Sequence, residues 1–259
     1  MNGDKKFELY KNGIIEFKDT TDEIKLNKVQ KLQVESILNK KTFIDKEIIN
    51  NFTDSLEYPI SFFDFETFQN SIPRFNGQRP YMQIPFQYSL HIMDKKGQLT
   101  HTEYLGDENT DPRRELCERM INDLPETGSI MAYYMPFEKS RIKEMATLFP
   151  DLSDQLTALL DRFVDLLVPF QNLGYYHPDF NGSFSIKSVL PALFPDDPQL
   201  NYKNLGIQNG SMAMDTFANL HLLKDKTKRT GIRNDLLAYC HLDTLAMVRI
   251  VEKLQRLAL

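Results

Sequence analysis

The segment Ile60-Ser-Phe-Phe-Asp64-Phe-Glu66-Thr67 constrains the fold more than any other stretch, because it sets two carboxylates inside an apolar, aromatic strand pattern. Residues two apart on a strand share one face, so Asp64 and Glu66 point the same way. Like charges that close are unfavourable unless solvent or a cation neutralises them. The pair reads as a divalent-metal seat, whose oxygen ligands suit Mg²⁺ or Mn²⁺. The competing reading is a solvated strand end or the first acids of a turn. The run Tyr58-Pro-Ile-Ser-Phe-Phe favours the metal seat, since it has little reason to deliver unused charge to a strand end.

A second constellation lies in Asn234-Asp-Leu-Leu-Ala-Tyr239-Cys-His-Leu-Asp243, where helically spaced apolar residues run on into Ile250, Val251, Leu254 and Leu257. Tyr239 and Asp243 are four apart and share one helix face. The phenol can therefore orient or deprotonate a water beside whatever the carboxylate binds. Alternatively Tyr239 is a core residue and Asp243 a solvated one. Between these segments, Gly128-Ser-Ile-Met-Ala reads as a short strand, followed by a turn and a helix starting near Pro136. Glu138 falls in that helix's first turn, a place the helix dipole favours for a carboxylate even without a catalytic role.

The remaining pattern predicts three consecutive strands near 58–65, 87–93 and 99–105, a helix over 112–124, a strand over 130–133, and helices from 136 onward. Further helices are expected over 151–169, 185–194 and 211–222, with loops at 175–182 and 195–209. The result is an α/β fold with a mixed sheet flanked by helices. Residues 1–56 are Lys- and Glu-rich and form a helical arm, with one helix carrying Ile24, Leu26, Val29, Leu32, Val34 and Ile37 and another carrying Ile44, Ile48, Ile49 and Phe52. The arm either packs on the core of residues 57–259 or marks a junction with an upstream domain of a longer protein.

Taken together, Asp64-Phe-Glu66, Tyr134-Met-Pro-Phe137-Glu138 and Tyr239-Cys-His-Leu-Asp243 resemble the three motifs of the DnaQ-like, RNase H-fold 3′–5′ exonucleases, in their tyrosine branch. The resemblance spans roughly residues 58–259. It implies an RNase H-like fold and hydrolysis of phosphodiester bonds at single-stranded DNA or RNA ends. Two Mg²⁺ or Mn²⁺ ions would be held by Asp64, Glu66, Glu138 and Asp243, with Tyr239 positioning the water. Two positions depart from the pattern: Tyr134 replaces the second motif's Asn, and Glu138 replaces its Asp, moving the carboxylate by about one C–C bond. The first departure motivates a rival expectation, a nucleic-acid-binding module that keeps the fold without turnover. The histidine branch of the family requires a His where this chain has Ala238, and His241 lies off that face. Asp165 resembles an additional acid that follows the second motif in several relatives, in a supporting or substrate-positioning role; the competing reading is a helix cap or a solvated residue.

More narrowly, Ile72-Pro-Arg-Phe75, Gln83-Ile-Pro-Phe-Gln87-Tyr-Ser-Leu, Tyr176-His-Pro178, Ser183-Phe-Ser-Ile-Lys187 and Tyr239-Cys240 look like an uncharacterised bacterial domain. That domain often follows a PD-(D/E)xK-type nuclease, which the resemblance makes a candidate upstream partner. Lys187, beside hydroxyls suited to a helix N-cap, is a candidate phosphate contact or a plain surface lysine. Arg74 and Arg79, in the loop after the first strand, are candidates to track a nucleic-acid backbone, and Thr67 joins them as a substrate contact.

Composition narrows the partners. A net charge of −5 supplies no broad basic field for duplex nucleic acid. Cys117 and Cys240 lack the spacing of a zinc site or a disulfide framework. No run reaches the roughly 18 apolar residues of a membrane span. The start Met-Asn-Gly-Asp-Lys-Lys lacks a signal peptide's apolar core, so a cytoplasmic protein is expected.

Overall fold

The computed structural model describes residues 3–21 and 24–259. Ten α-helices and seven strands are described: α1 (Gly3–Lys11), α2 (Lys28–Asn39), β1 (Phe43–Ile44), α3 (Lys46–Asp54), β2 (Ile60–Phe68), β3 (Ile84–Met93), β4 (Leu99–Leu105), α4 (Arg113–Asp123), β5 (Ile130–Ala132), α5 (Pro136–Leu148), α6 (Ser153–Leu159), β6 (Phe163–Asp165), α7 (Val168–Gln171), β7 (Tyr175–Tyr176), α8 (Ile186–Leu193), α9 (Gly210–Leu220) and α10 (Lys226–Ala258).

Five strands form one mixed sheet in the order β4-β3-β2-β5-β6. β2 pairs antiparallel with β3, and β3 with β4, whereas β5 runs parallel to both β2 and β6. Period-two alternation along β2 divides its side chains between two cores. Phe63 and Phe65 join Tyr88, Leu90, Ile142 and Met145 under α4, α5 and α6. Phe62 and Phe68 join Phe86, Phe217, Leu236 and Met247 under α9 and α10. Asp64 and Glu66 share the parity of Phe62 and Phe68, so the pleat carries them to the α10 side. A register shift between Glu66 and Thr67 breaks the β2–β3 ladder at the strand's end, where a bulge re-aims side chains.

The 33-residue α10 starts on an Asp225 cap that accepts from Lys228 N. It is fastened across the sheet by Gln87 Nε2, which donates to Leu236 O, and by Arg233, which donates to Leu105 O, Gly106 O and Glu108. Among the described residues no helix is long and apolar enough to cross a membrane.

Four expectations are corrected. The helix expected over 151–169 is two short helices around β6. Phe163-Val-Asp165 pairs with β5, and Arg162 anchors that edge by donating to Thr127 O and Gly128 O. Within the loop expected over 175–182, Tyr175–Tyr176 forms β7, antiparallel to β1. Ile44, expected in a helix, belongs to β1, because Asp45 caps α3 through Glu47 N and Ile48 N. Likewise Asn27 caps α2 and leaves Ile24 and Leu26 outside it. Of the expected arm, Ile49 and Phe52 are buried in the α10-side core together with Ile60 and Leu254.

Candidate functional site

Asp64 and Glu66 on β2 and Asp243 on α10 each present a carboxylate oxygen, and the three oxygens lie within 4.8 Å of one another. At that separation two full charges repel by about 3.5 kcal/mol at an effective dielectric of 20, so the cluster demands protons or cations. Glu138, in the first turn of α5, lines the same cleft outside this triplet. The cleft holds about 390 Å³ and is also walled by Thr67, Gln83, Tyr134, Lys187, Gly210 and Tyr239.

Glu138 is brought to the cleft by a constrained turn. Tyr134 sits in the left-handed region at φ 76°. The Asp165 carboxylate at the end of β6 accepts from Tyr134 N (2.9 Å), Met135 N (3.2 Å) and Leu167 N (2.9 Å). Pro136 then opens α5. Asp165 is therefore a backbone tether whose oxygens are engaged, and the structure does not bring it to the cleft wall. The Glu138 side chain is 2% exposed, and its Oε2 is buried with no hydrogen-bond partner among the described residues.

Burial, then the charge of Asp243, holds the Asp64 and Glu66 carboxyls well above the usual range. Burial pushes Glu138 up to about 8, with the Asp165 charge adding to it. Asp243 is raised by burial, opposed by Lys187 and by the hydroxyls of Tyr202 and Tyr239. Lys187 Nζ donates to Tyr239 Oη at 2.6 Å and lies 4.5 Å and 4.6 Å from the ring centres of Tyr239 and Tyr202. Burial and the surrounding acids push the Tyr239 phenol upward. A phenol held in its protonated form can orient a water but not deprotonate one.

The two arginines part company. Arg74 donates to Glu108 O and Ala218 O and stacks on Phe75, so it fastens its own loop to the loop after β4 and to α9, outside the cleft. Arg79 is exposed in an adjoining depression with Tyr81 and Arg141, and Gln83 borders both hollows. Tyr202 was not among the sequence candidates, yet it donates to Asp243 Oδ1 at 2.5 Å. It lies in the irregular connection between α8 and α9 and bears no spacing relation to the acidic motifs. Gly210 was also missed: a Cβ there would stand 3.7 Å from Glu66 Oε2 and 3.9 Å from Tyr239 Oη.

Comparison with known proteins adds a family description and three relatives. Residues 61–185, which contain Asp64, Glu66 and Glu138, match the model of a family described as "Domain of unknown function (DUF2779)". The chain is 28% identical over 247 residues to the uncharacterized protein MG366 of Mycoplasma genitalium, covering 85% of this chain and 35% of that protein. It is 27% identical over 205 residues to the MG366 homolog of Mycoplasma pneumoniae, covering 73% and 31%. It is also 27% identical over 209 residues to the uncharacterized protein UU173 of Ureaplasma parvum, covering 73% and 30%. No solved structure matches. The chain spans about a third of the length of the curated relatives it matches, and it is similar over most of its own length to all three.

Proposed function

We propose that the chain is a metal-dependent 3′–5′ exonuclease domain of RNase H-like fold, acting on single-stranded DNA or RNA ends. The observation that carries the reading is the meeting of Asp64, Glu66 and Asp243 oxygens within 4.8 Å, in a cleft shared with Glu138 and Tyr239. These residues come from three chain segments that resemble the three motifs of that family, with Tyr134 and Glu138 as the departures. The fold is supported by the strand order, an antiparallel β2–β3–β4 meander extended by parallel β5 and β6.

The residues present fit divalent cations. Oxygen donors suit Mg²⁺ and Mn²⁺, the carboxyls are held high by burial and mutual charge, and Glu138 Oε2 is buried without a partner. A pair of such ions, when bound, lowers the pKa of an attacking water and offsets charge on the phosphodiester. The chain's own contribution is positional. Tyr239, steadied by Lys187, offers its hydroxyl to the water, and Tyr202 fixes one Asp243 oxygen. Tyr134, 55% exposed on the cleft wall, offers a ring on which a terminal base can stack.

The test is incubation of the purified chain with end-labelled single-stranded DNA and RNA in Mn²⁺ or Mg²⁺. Shortening from the 3′ end that EDTA and Asp64→Ala both abolish is expected. Oligonucleotide binding with neither shortening nor divalent-ion uptake would transfer the reading to a silent nucleic-acid-binding module.

A further inference from the structure

A second cluster of ligating side chains stands apart from the acidic cleft. His91 on β3 and His101 on β4 face each other directly across the antiparallel ladder. His241 reaches them from α10. The ring centres lie 4.3, 4.4 and 4.8 Å apart, and one nitrogen from each ring falls within 4.8 Å of the others. On α10, residues two apart project about 200° from each other, so His241 looks away from the flank on which Asp243 meets Asp64.

The surroundings prepare these rings for a cation. Thr244 Oγ1 lies 2.8 Å from His91 Nδ1 and 3.1 Å from His241 O. With its one proton on His241 O it accepts from His91 Nδ1, and His91 is then the tautomer with its lone pair on Nε2. Ser89 Oγ bonds both Thr244 Oγ1 (2.7 Å) and His101 Nε2 (2.9 Å), tying two of the three rings to one hydroxyl pair. Such outer partners set ring orientation in metal sites. Glu103 Oε2 stands 3.9 Å from His101 Nε2 and supplies a nearby carboxylate. His91 is buried and the His101 side chain is 24% exposed, so the cluster has a closed base and an open mouth.

We propose that His91, His101 and His241 form a transition-metal site, best suited to Zn²⁺, separate from the acidic cleft. Imidazole nitrogens select zinc and its neighbours over Mg²⁺. Tetrahedral Zn–N bonds of about 2.0–2.1 Å place nitrogens about 3.3 Å apart, a spacing these rings reach by side-chain rotation of about an ångström. Three nitrogens leave a fourth position for Glu103 or solvent.

The test uses Co²⁺ as a visible zinc surrogate in the full chain carrying Asp64→Asn and Asp243→Asn, which disables the acidic cleft and makes the outcome independent of the nuclease reading. One equivalent of Co²⁺ giving tetrahedral d–d absorption that Zn²⁺ abolishes is expected. His101→Ala, at the partly exposed ring, should remove the absorption while circular dichroism stays unchanged. Thr244→Val should weaken Co²⁺ binding about 10–100-fold. No absorption with all three histidines present, or absorption surviving His101→Ala, overturns the proposal.

Discussion

Tyr202 donates to Asp243 Oδ1 at 2.5 Å, and both side chains are buried. A hydrogen bond to a charged acceptor contributes about 1.5–3 kcal/mol, and here it opposes the burial that drives Asp243 toward its neutral form. Tyr202→Phe keeps the ring that packs near Tyr239 and removes only the donor. Asp243 should then hold its proton more tightly. Mn²⁺ affinity at pH 7 should fall by about tenfold, equivalent to about 1.4 kcal/mol. Isothermal titration of Mn²⁺ measures this, and unchanged affinity would remove Tyr202 from the site.

Stability of the metal-free protein should fall as pH rises above neutrality. The Asp64 and Glu66 carboxyls are raised by burial and then by Asp243, and Glu138 is pushed up to about 8. A folded value above the unfolded one means that the native state holds more protons. The associated stability is full below the unfolded values of 3.8 and 4.5 and is lost as pH climbs through the folded ones. His91 and His101, pushed down to about 3 and about 4 chiefly by burial, act with the opposite sign. Their effect is complete above their ordinary 6.5, so the acids dominate the slope beyond it. Thermal melts over roughly pH 7–9 in EDTA should show a falling midpoint, and Mn²⁺ should reverse the slope by taking the ionised acids. A flat EDTA profile would contradict the clustering.

Asp165 should behave as a scaffold residue with a catalytic consequence. Its carboxylate satisfies three backbone amides at the turn that aims Glu138. Asp165→Ala strands those donors and should cost about 3 kcal/mol or more. Asp165→Asn, which retains one acceptor oxygen, should lie between it and the parent. Chemical denaturation ranks the three proteins. The cleavage rate should follow the same order, because the Tyr134 turn, at positive φ, carries Glu138. Full stability in the Ala variant would assign the turn's conformation to other contacts.

The period-two pattern made β2 and its shared acidic face legible, because alternation survives any tertiary arrangement. The ends of α4 and the start of α5 were legible for a similar reason, since proline and apolar spacing act locally. β6 was not: three residues in a long apolar run read as helix, and only the neighbouring β5 makes them a strand. Arg74 looked available for phosphate because sequence shows its charge but not the two carbonyls that engage it. The placement of Tyr202 depends on the path of an irregular connection, and the histidine cluster on the β3–β4 register together with the rotation of α10. These are relations between distant elements, which no local spacing encodes.

Gly128 should be among the least replaceable residues outside the cleft. Its φ is +90°, and a Cβ there would stand 2.1 Å from the backbone oxygen of Pro59. Neither partner of that clash is a flexible side chain, so the β2 entry and the start of β5 must separate. The same junction carries Ser129 N to Glu57 O and Ser61 N to Ser129 O, both 2.8 Å, and Arg162 Nε to Gly128 O at 2.9 Å. Backbone strain and overpacking each cost about 1–3 kcal/mol, so Gly128→Ala should lose about 3 kcal/mol or more in urea denaturation, with the slope m unchanged. Because β2 carries Asp64 and β5 leads into the Glu138 turn, Mn²⁺ affinity should drop in the fraction that stays folded. A variant that matches the parent in both measurements would mean that this junction does not set the distance between Asp64 and Glu138.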